Sequence, residues 1–194
     1  MELKVIDIWN PKGGQGKSMV AINLAGAALE LGRKPLVICQ DPQGTSSLYY
    51  KYGSLPFVVL DDVPQSKPDA DVIIFDHQAS DWEVPDGSLI VMPVKPSRDQ
   101  YATYLDAYKK AKSLDKSIIT IVTDAQMQRP EERMITENLI EKGAFFIPSS
   151  GVFSRAASSY TTIFSEELNK AYKIKERRKE FCQIMTDLLI RNAK

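Results

Sequence analysis

Residues 10–18 read Asn-Pro-Lys-Gly-Gly-Gln-Gly-Lys-Ser, and their flanks leave this segment little choice of structure. Before it, Leu3 to Trp9 cluster the β-formers Val5, Ile6 and Ile8, a short run that reads as a buried strand. After it, Val20, Ile22, Leu24, Ala25, Ala27, Ala28, Leu29 and Leu31 make an apolar helical segment ending at Gly32, a plausible left-handed cap. The unit is therefore strand, glycine loop, helix. Glycine lacks the Cβ that would block close approach, and a helix N-terminus favours negative charge. The backbone N–H groups of Gly13, Gly14, Gln15, Gly16, Lys17 and Ser18, with Met19 next in line, can therefore wrap a β-phosphate. Lys17 then reaches the β- and γ-phosphates, and the Ser18 hydroxyl ligates Mg²⁺. The competing reading is a glycine turn that binds nothing, and the strand and helix on either side weigh against it.

The rest of the chain repeats the same alternation. Pro35 to Cys39, Asp71 to Phe75, Ser88 to Val94 and Ser117 to Thr123 are short, nearly continuous apolar runs, as expected of strands buried on both faces of a parallel sheet. Between them, Asp99 to Leu114 places Tyr101, Tyr104, Leu105, Tyr108 and Ala111 at helical spacing. Pro130 to Lys142 opens with proline, carries Glu131 and Glu132 in its first turn and closes before Gly143. Ala144 to Ile147 supplies a further strand, and the tail from about Phe164 to Asn192 reads as helical. Leu55 to Leu60 could be a short strand or an irregular connection. The pattern predicts a doubly wound α/β fold with a mostly parallel sheet, in one domain over 1–194.

Charge is balanced overall, 25 Lys+Arg against 25 Asp+Glu, so the molecule as a whole is not a generic polyanion binder. It is unevenly placed: Lys170 to Lys194 holds eight basic and three acidic residues, a basic pole at the C-terminal end. Cys39 and Cys182 lie far apart with no metal-ligand spacing, which suits a reducing cytoplasm and disfavours an iron–sulfur carrier. No apolar run of the length needed to span a bilayer and no signal-peptide pattern is present, so a soluble cytoplasmic protein is expected.

In the usual phosphate-loop pattern the first glycine would fall at Pro11. The chain instead matches K-G-G-x-G-K-[ST], with Lys12 one position further on. This resembles the deviant Walker A motif of the ParA/MinD family of dimeric ATPases, and Asn10-Pro11-Lys12-Gly13-Gly14 is similar to the small ParA-type plasmid partition ATPases. The resemblance implies ATP and Mg²⁺ as cofactors and an ATP-dependent homodimer in which Lys12 crosses the interface to the partner's phosphates. A solvated surface lysine beside an anion site is the alternative, and spacing alone leaves both open. Gln40-Asp41-Pro42-Gln43-Gly44-Thr45, directly after a strand, resembles the family's D-P-Q-G switch segment, although these residues also favour a plain turn. The resemblance implies that Asp41 orients the attacking water and supports Mg²⁺; Cys39 stands where many relatives carry a further aspartate. Asp76 closes an apolar run as a Walker B aspartate does, binding Mg²⁺ through water. His77 reads as a switch-loop or packing residue. Lys95-Pro96-Ser97-Arg98-Asp99 resembles a stretch near nucleotide and dimer interface in relatives. The end of the 117–123 strand lacks the adenine-contacting asparagine often found there, so ATP over GTP rests on the resemblance.

In ParA-type proteins the closed dimer binds nonspecific DNA and a partner protein stimulates hydrolysis, so the resemblance implies both here, with a ParB-like centromere-binding adaptor as the partner. Lys170, Lys173, Lys175, Arg177, Arg178 and Lys179, extended by Arg155, form the candidate phosphate-contacting patch, although Glu176 and Glu180 intersperse it and charged helix faces are usually just solvated. The absence of an N-terminal helix-turn-helix argues against a sequence-specific repressor. A second reading is a membrane-associated positioning ATPase of the MinD kind, because Phe181, Ile184, Met185, Leu188 and Leu189 form an apolar stripe beside basic residues. A core-facing terminal helix explains the stripe more simply. An ATPase that positions a protein cargo, or a ligase using the same loop, would also begin with these motifs.

Overall fold

The computed structural model describes residues 3–41 and 44–191. Pro42 and Gln43 of the expected switch turn, Asn192 at the expected helix end and Lys194 of the basic tail lie outside the described residues. The order of elements is β1 (Lys4–Ile8), α1 (Lys17–Glu30), β2 (Pro35–Cys39), α2 (Thr45–Tyr52), β3 (Val58–Leu60), β4 (Val72–Asp76), β5 (Leu89–Val94), α3 (Arg98–Ser113), β6 (Ser117–Thr123), α4 (Pro130–Glu141), β7 (Phe145–Ile147), α5 (Gly151–Ser158) and α6 (Ile174–Ile190). The strands form one seven-stranded sheet in the order β3-β2-β4-β1-β5-β6-β7, with every neighbouring pair parallel. This is the doubly wound α/β architecture that the alternating runs predict.

The core follows from the two-residue period of strands that are covered on both sides. Ile6 and Ile8 of β1 face α1 and α6, where Val20, Leu24, Phe181, Ile184, Met185 and Leu188 pack with them. Trp9 faces the other way, into a second cluster with Ile90, Met92, Val94, Tyr104, Ala107, Ile135 and Leu139 under α3 and α4. Helix α1 is buried along nearly its whole length, so it needs apolar residues all round rather than along one stripe. It ends as expected, with Gly32 at φ 71° and the Arg33 N–H returning to the Ala28 carbonyl.

Two open readings are settled, two short helices are added and one expectation changes. Leu55 to Leu60 resolves into the three-residue edge strand β3. Helices α2 and α5, eight residues each, had no periodic signal of their own. The tail is not one helix from Phe164: a 3₁₀ turn at Glu166–Leu168 precedes α6, which starts only at Ile174 after Lys173 at φ 57°. The Arg178 guanidinium holds this break open by donating to the carbonyls of Ile163 and Ser165 and to Asn169 Oδ1, at 2.8 Å each. Finally, Phe181, Ile184, Met185 and Leu188 are 0–1% exposed. The stripe is core, so the membrane-seeking helix is overturned, and among the described residues no helix is long and apolar enough to cross a membrane.

Candidate functional site

Ligands of open parallel sheets bind beyond the carboxyl ends of the strands, and the chain sends its functional residues there from five adjacent ones. The loop after β1, Asp41 after β2, Asp76 ending β4, Lys95 after β5 and Asp124 after β6 all lie at this rim. Register brings them level: Asp76 pairs with Ile8 on one side and Cys39 on the other.

The phosphate loop is held from below by side chains that point away from the ligand space. Asn10, fully buried, donates Nδ2–H to the Pro93 carbonyl at 2.8 Å and accepts the Lys12 N–H on Oδ1 at 2.9 Å. Gln15 turns inward, accepting the Lys95 N–H at 2.7 Å and donating to Gln100 Oε1. Its expected nucleotide contact is thus limited to its backbone. Thr123 Oγ1 donates to the Gln15 carbonyl at 3.0 Å. Gly16 caps α1 at φ 87°, a conformation that a Cβ would strain, and this turns the first N–H groups of the helix toward the loop. Gly13 and Gly14 are exposed at the lip.

Lys17 is buried and folded back onto the loop, with Nζ donating to the carbonyls of Asn10 at 3.0 Å and Lys12 at 3.4 Å. Burial lowers its pKa, against the opposing pull of Asp76 and Asp41. Asp76 is fully buried and accepts Ser46 Oγ–H on Oδ2 at 2.5 Å. Burial pushes its carboxyl up, while Ser46, Ser18 and Lys17 pull it down and Asp41 pushes it further up. Asp76 Oδ1 is buried without a hydrogen-bond partner among the described residues. A lone buried carboxylate oxygen beside a hydroxyl, an ammonium and a second carboxylate fits a divalent cation held largely by phosphate and water. Ser18, Asp41 and Asp76 are the residues that would hold Mg²⁺. Cys39 points its thiol at the Asp41 carbonyl, 3.8 Å away.

Beyond the loop opens a cleft of about 230 Å³ lined by Gly14, Gly16, Met19, Lys95, Asp124 and Phe153, among others. It starts at the phosphate loop, so a base attached to a bound phosphate chain can enter it. Asp124, at φ 53°, pairs with Lys95 at 2.8 Å. Partial burial pushes its carboxyl up, but the Lys95 ammonium and Ser149 hydroxyl outweigh this and hold it below the usual carboxylate range.

Lys12 sits half-exposed at the lip. Arg98 is exposed at the start of α3, and Arg155 is exposed on α5. Of the basic cluster, Lys170, Lys173, Lys175 and Lys179 are exposed. Arg177 is not available: it is buried, paired with Glu180 Oε1 at 2.7 Å and hydrogen-bonded to the Pro148 carbonyl. Arg178 is committed to loop carbonyls, as above. Ser46, Gln100 and Asp7 are structural partners of the site that the sequence analysis did not name.

A family model described as "CobQ/CobB/MinD/ParA nucleotide binding domain" matches residues 6–167. The chain belongs to this family of ParA/MinD-type nucleotide-binding domains, typically ATPases. Its fold is similar to that of a candidate plasmid partition protein from Borrelia burgdorferi B31 bound to AMPPNP, at TM-score 0.72 and 19% identity, covering 96% of this chain and 99% of that one. It is also similar to the septum site-determining protein MinD from Pyrococcus horikoshii OT3 complexed with Mg-ADP, at TM-score 0.71 and 15% identity, covering 97% and 98%. A 44-residue stretch is 50% identical to an uncharacterized protein of Mycobacterium tuberculosis strain H37Rv. That match spans 23% of this chain and 14% of the relative's length.

Proposed function

We propose that the protein is a Mg²⁺-dependent ATPase that closes into a homodimer around ATP, binds nonspecific DNA in that state, and partitions or positions plasmid or chromosomal DNA. A ParB-like adaptor would stimulate hydrolysis and reset it. The observation that carries this reading is the contrast between the two lysines: Lys17 is buried against its own loop, whereas Lys12 stands at the lip with its side chain half in solvent. One phosphate chain needs one buried lysine. A second lysine on the same loop, only partly buried at its lip, suits phosphates held by another copy.

In this reading Lys17 and the loop N–H groups bind the β- and γ-phosphates. Ser18 and Asp76 hold Mg²⁺, which when bound neutralises charge on the transferring phosphoryl oxygens. Asp41 orients the attacking water, and Lys12 stabilises charge on the partner's γ-phosphate. The hydrolysis step forms a bond from the water oxygen to the γ-phosphorus and breaks the bond to the bridging oxygen, leaving ADP and phosphate. Loss of γ-phosphate contacts then releases the interface. Four exposed lysines per protomer, Lys170, Lys173, Lys175 and Lys179, with Arg155, are the proposed DNA-contacting groups.

The test is ATPase rate and ATP-dependent mass with and without nonspecific DNA, in wild type, Lys17→Ala and Lys12→Ala. Lys17→Ala is expected to lose nucleotide binding. Lys12→Ala should keep binding and lose both dimer and hydrolysis, the latter by about 10²-fold or more. A wild type that stays monomeric with ATP and ignores DNA sinks the partition reading.

A further inference from the structure

His77 is the only histidine of the chain, and it follows directly on Asp76. Its Nε2 lies 2.8 Å from Asp7 Oδ1, with the two side chains only 12% and 6% exposed. Asp7 belongs to β1, the central strand, where a doubly covered parallel sheet ordinarily carries aliphatic residues. Its Oδ2 is buried without a hydrogen-bond partner among the described residues. That oxygen lies against Gly87, where an added Cβ would come within 1.9 Å of it. A half-satisfied carboxylate in a sheet interior disfavours folding, so stability alone gives no reason for the pair.

What the pair holds is the start of the connection from β4 to β5. The His77 N–H donates to the Ile8 carbonyl at 3.2 Å. Three residues on, Ser80 adopts φ 67° and donates its N–H to the Pro11 carbonyl at 2.7 Å. Trp9 Nε1–H donates to the Asp81 carbonyl at 3.1 Å. Ala79 Cβ lies 3.6 Å from where a Cβ of Gly13 would stand. The short segment 77–81 therefore has Asp76 at one end and the backbone that presents Lys12 resting on it.

We propose that the His77–Asp7 pair is a positioning clamp that keeps the Asp76 carboxylate and the Lys12-bearing loop in register for hydrolysis across the dimer; this rests on the ATPase reading above. The His77 side chain is engaged by Asp7, and its proposed role is positional rather than direct contact with phosphate or metal. It acts by fixing the segment that joins the two groups which make that contact, and groups of this kind typically change activity or metal affinity about 10–100-fold when removed.

The experiment compares wild type, His77→Ala, His77→Gln and the double replacement Asp7→Val with His77→Leu. For each, kcat, KM, the Mg²⁺ concentration for half-maximal rate, nucleotide binding in EDTA, AMPPNP-driven dimer mass and melting temperature are measured. In His77→Ala, binding without metal should stay within about two-fold of wild type, because Lys17 and the loop N–H groups are intact. Its kcat should fall about ten-fold with a smaller change in KM, more Mg²⁺ should be needed and dimerisation should weaken. His77→Gln can place an amide N–H near the Nε2 position and should recover most of the loss. The double replacement fills the space with apolar side chains and should melt at or above the wild-type temperature while remaining slow. It decides the matter if His77→Ala does not fold. Wild-type kcat, Mg²⁺ dependence and dimerisation in either folded variant overturn the clamp, as does an equal loss in His77→Ala and His77→Gln. A wild type without ATPase activity overturns the ATPase reading and the clamp together; an active wild type matched by its variants overturns the clamp alone.

Discussion

Asp76 carries its carboxylate where burial most disfavours the charge, and this sets a sign that can be measured. Its folded pKa is raised above the unfolded value, so the folded state binds more protons, and stability falls as pH rises through the folded value. The penalty grows as pH rises above the ordinary carboxylate value near 3.8, is complete above the folded value, and disappears as pH falls back toward 3.8. Asp76→Asn should therefore melt higher than wild type at neutral pH without nucleotide, by about 2–4 °C for each kcal/mol relieved, and lose this advantage near pH 4. The same variant should hydrolyse ATP at a small fraction of the wild-type rate. Thermal melts across pH and a phosphate-release assay check both halves. The placement of Lys17, Ser18 and Asp76 at one rim of the sheet was legible in the sequence because each is tied to its neighbours along the chain: a glycine loop before a helix, a carboxylate closing an apolar run. Ser46 and Asp7 were not, since their significance lies in partners 30 and 70 residues away.

At the level of elements, α6 shows how one sequence pattern serves two structures. Its apolar stripe with flanking lysines has the spacing of a membrane-surface helix, yet Phe181 and Leu188 pack in the core with residues of α1. Phe181→Ala should cost about 3–5 kcal/mol in urea unfolding and leave anionic vesicle binding unchanged. A variant as stable as wild type would contradict the core assignment. Apart from the edge strand β3, the strands were read within about a residue of their ends because doubly buried strands write themselves as continuous apolar runs. Helices α2 and α5 were not, being two turns long and held by tertiary contacts. The break before α6 was invisible for a related reason: Arg178 makes it by bonding carbonyls 13 and 15 residues earlier, and no local propensity encodes that.

For the whole molecule, the basic pole is smaller than its composition suggests. Among the described residues, Arg177 and Arg178 are spent on internal bonds and Arg191 pairs with Asp187, which leaves four exposed lysines there, with Arg155 exposed on α5. Lys173→Glu with Lys175→Glu should weaken AMPPNP-dependent DNA binding at least about ten-fold and reduce the salt slope by roughly 2 per protomer engaged. Arg177→Ala should instead lower the melting temperature, since it strips the partner from a half-buried Glu180. Filter binding over a salt series, with melts alongside, separates the two. By itself the sequence determined the alternating α/β plan, the phosphate loop with its two lysines and the carboxylates at strand ends, because hydrophobic periodicity and short motifs are local quantities. Only the tertiary structure decided which charges remain free, which side of α6 meets the core, and that a histidine just past the end of β4 pairs with an aspartate of β1. Those outcomes depend on burial and on hydrogen bonds between distant residues, and burial exists only once the chain has packed.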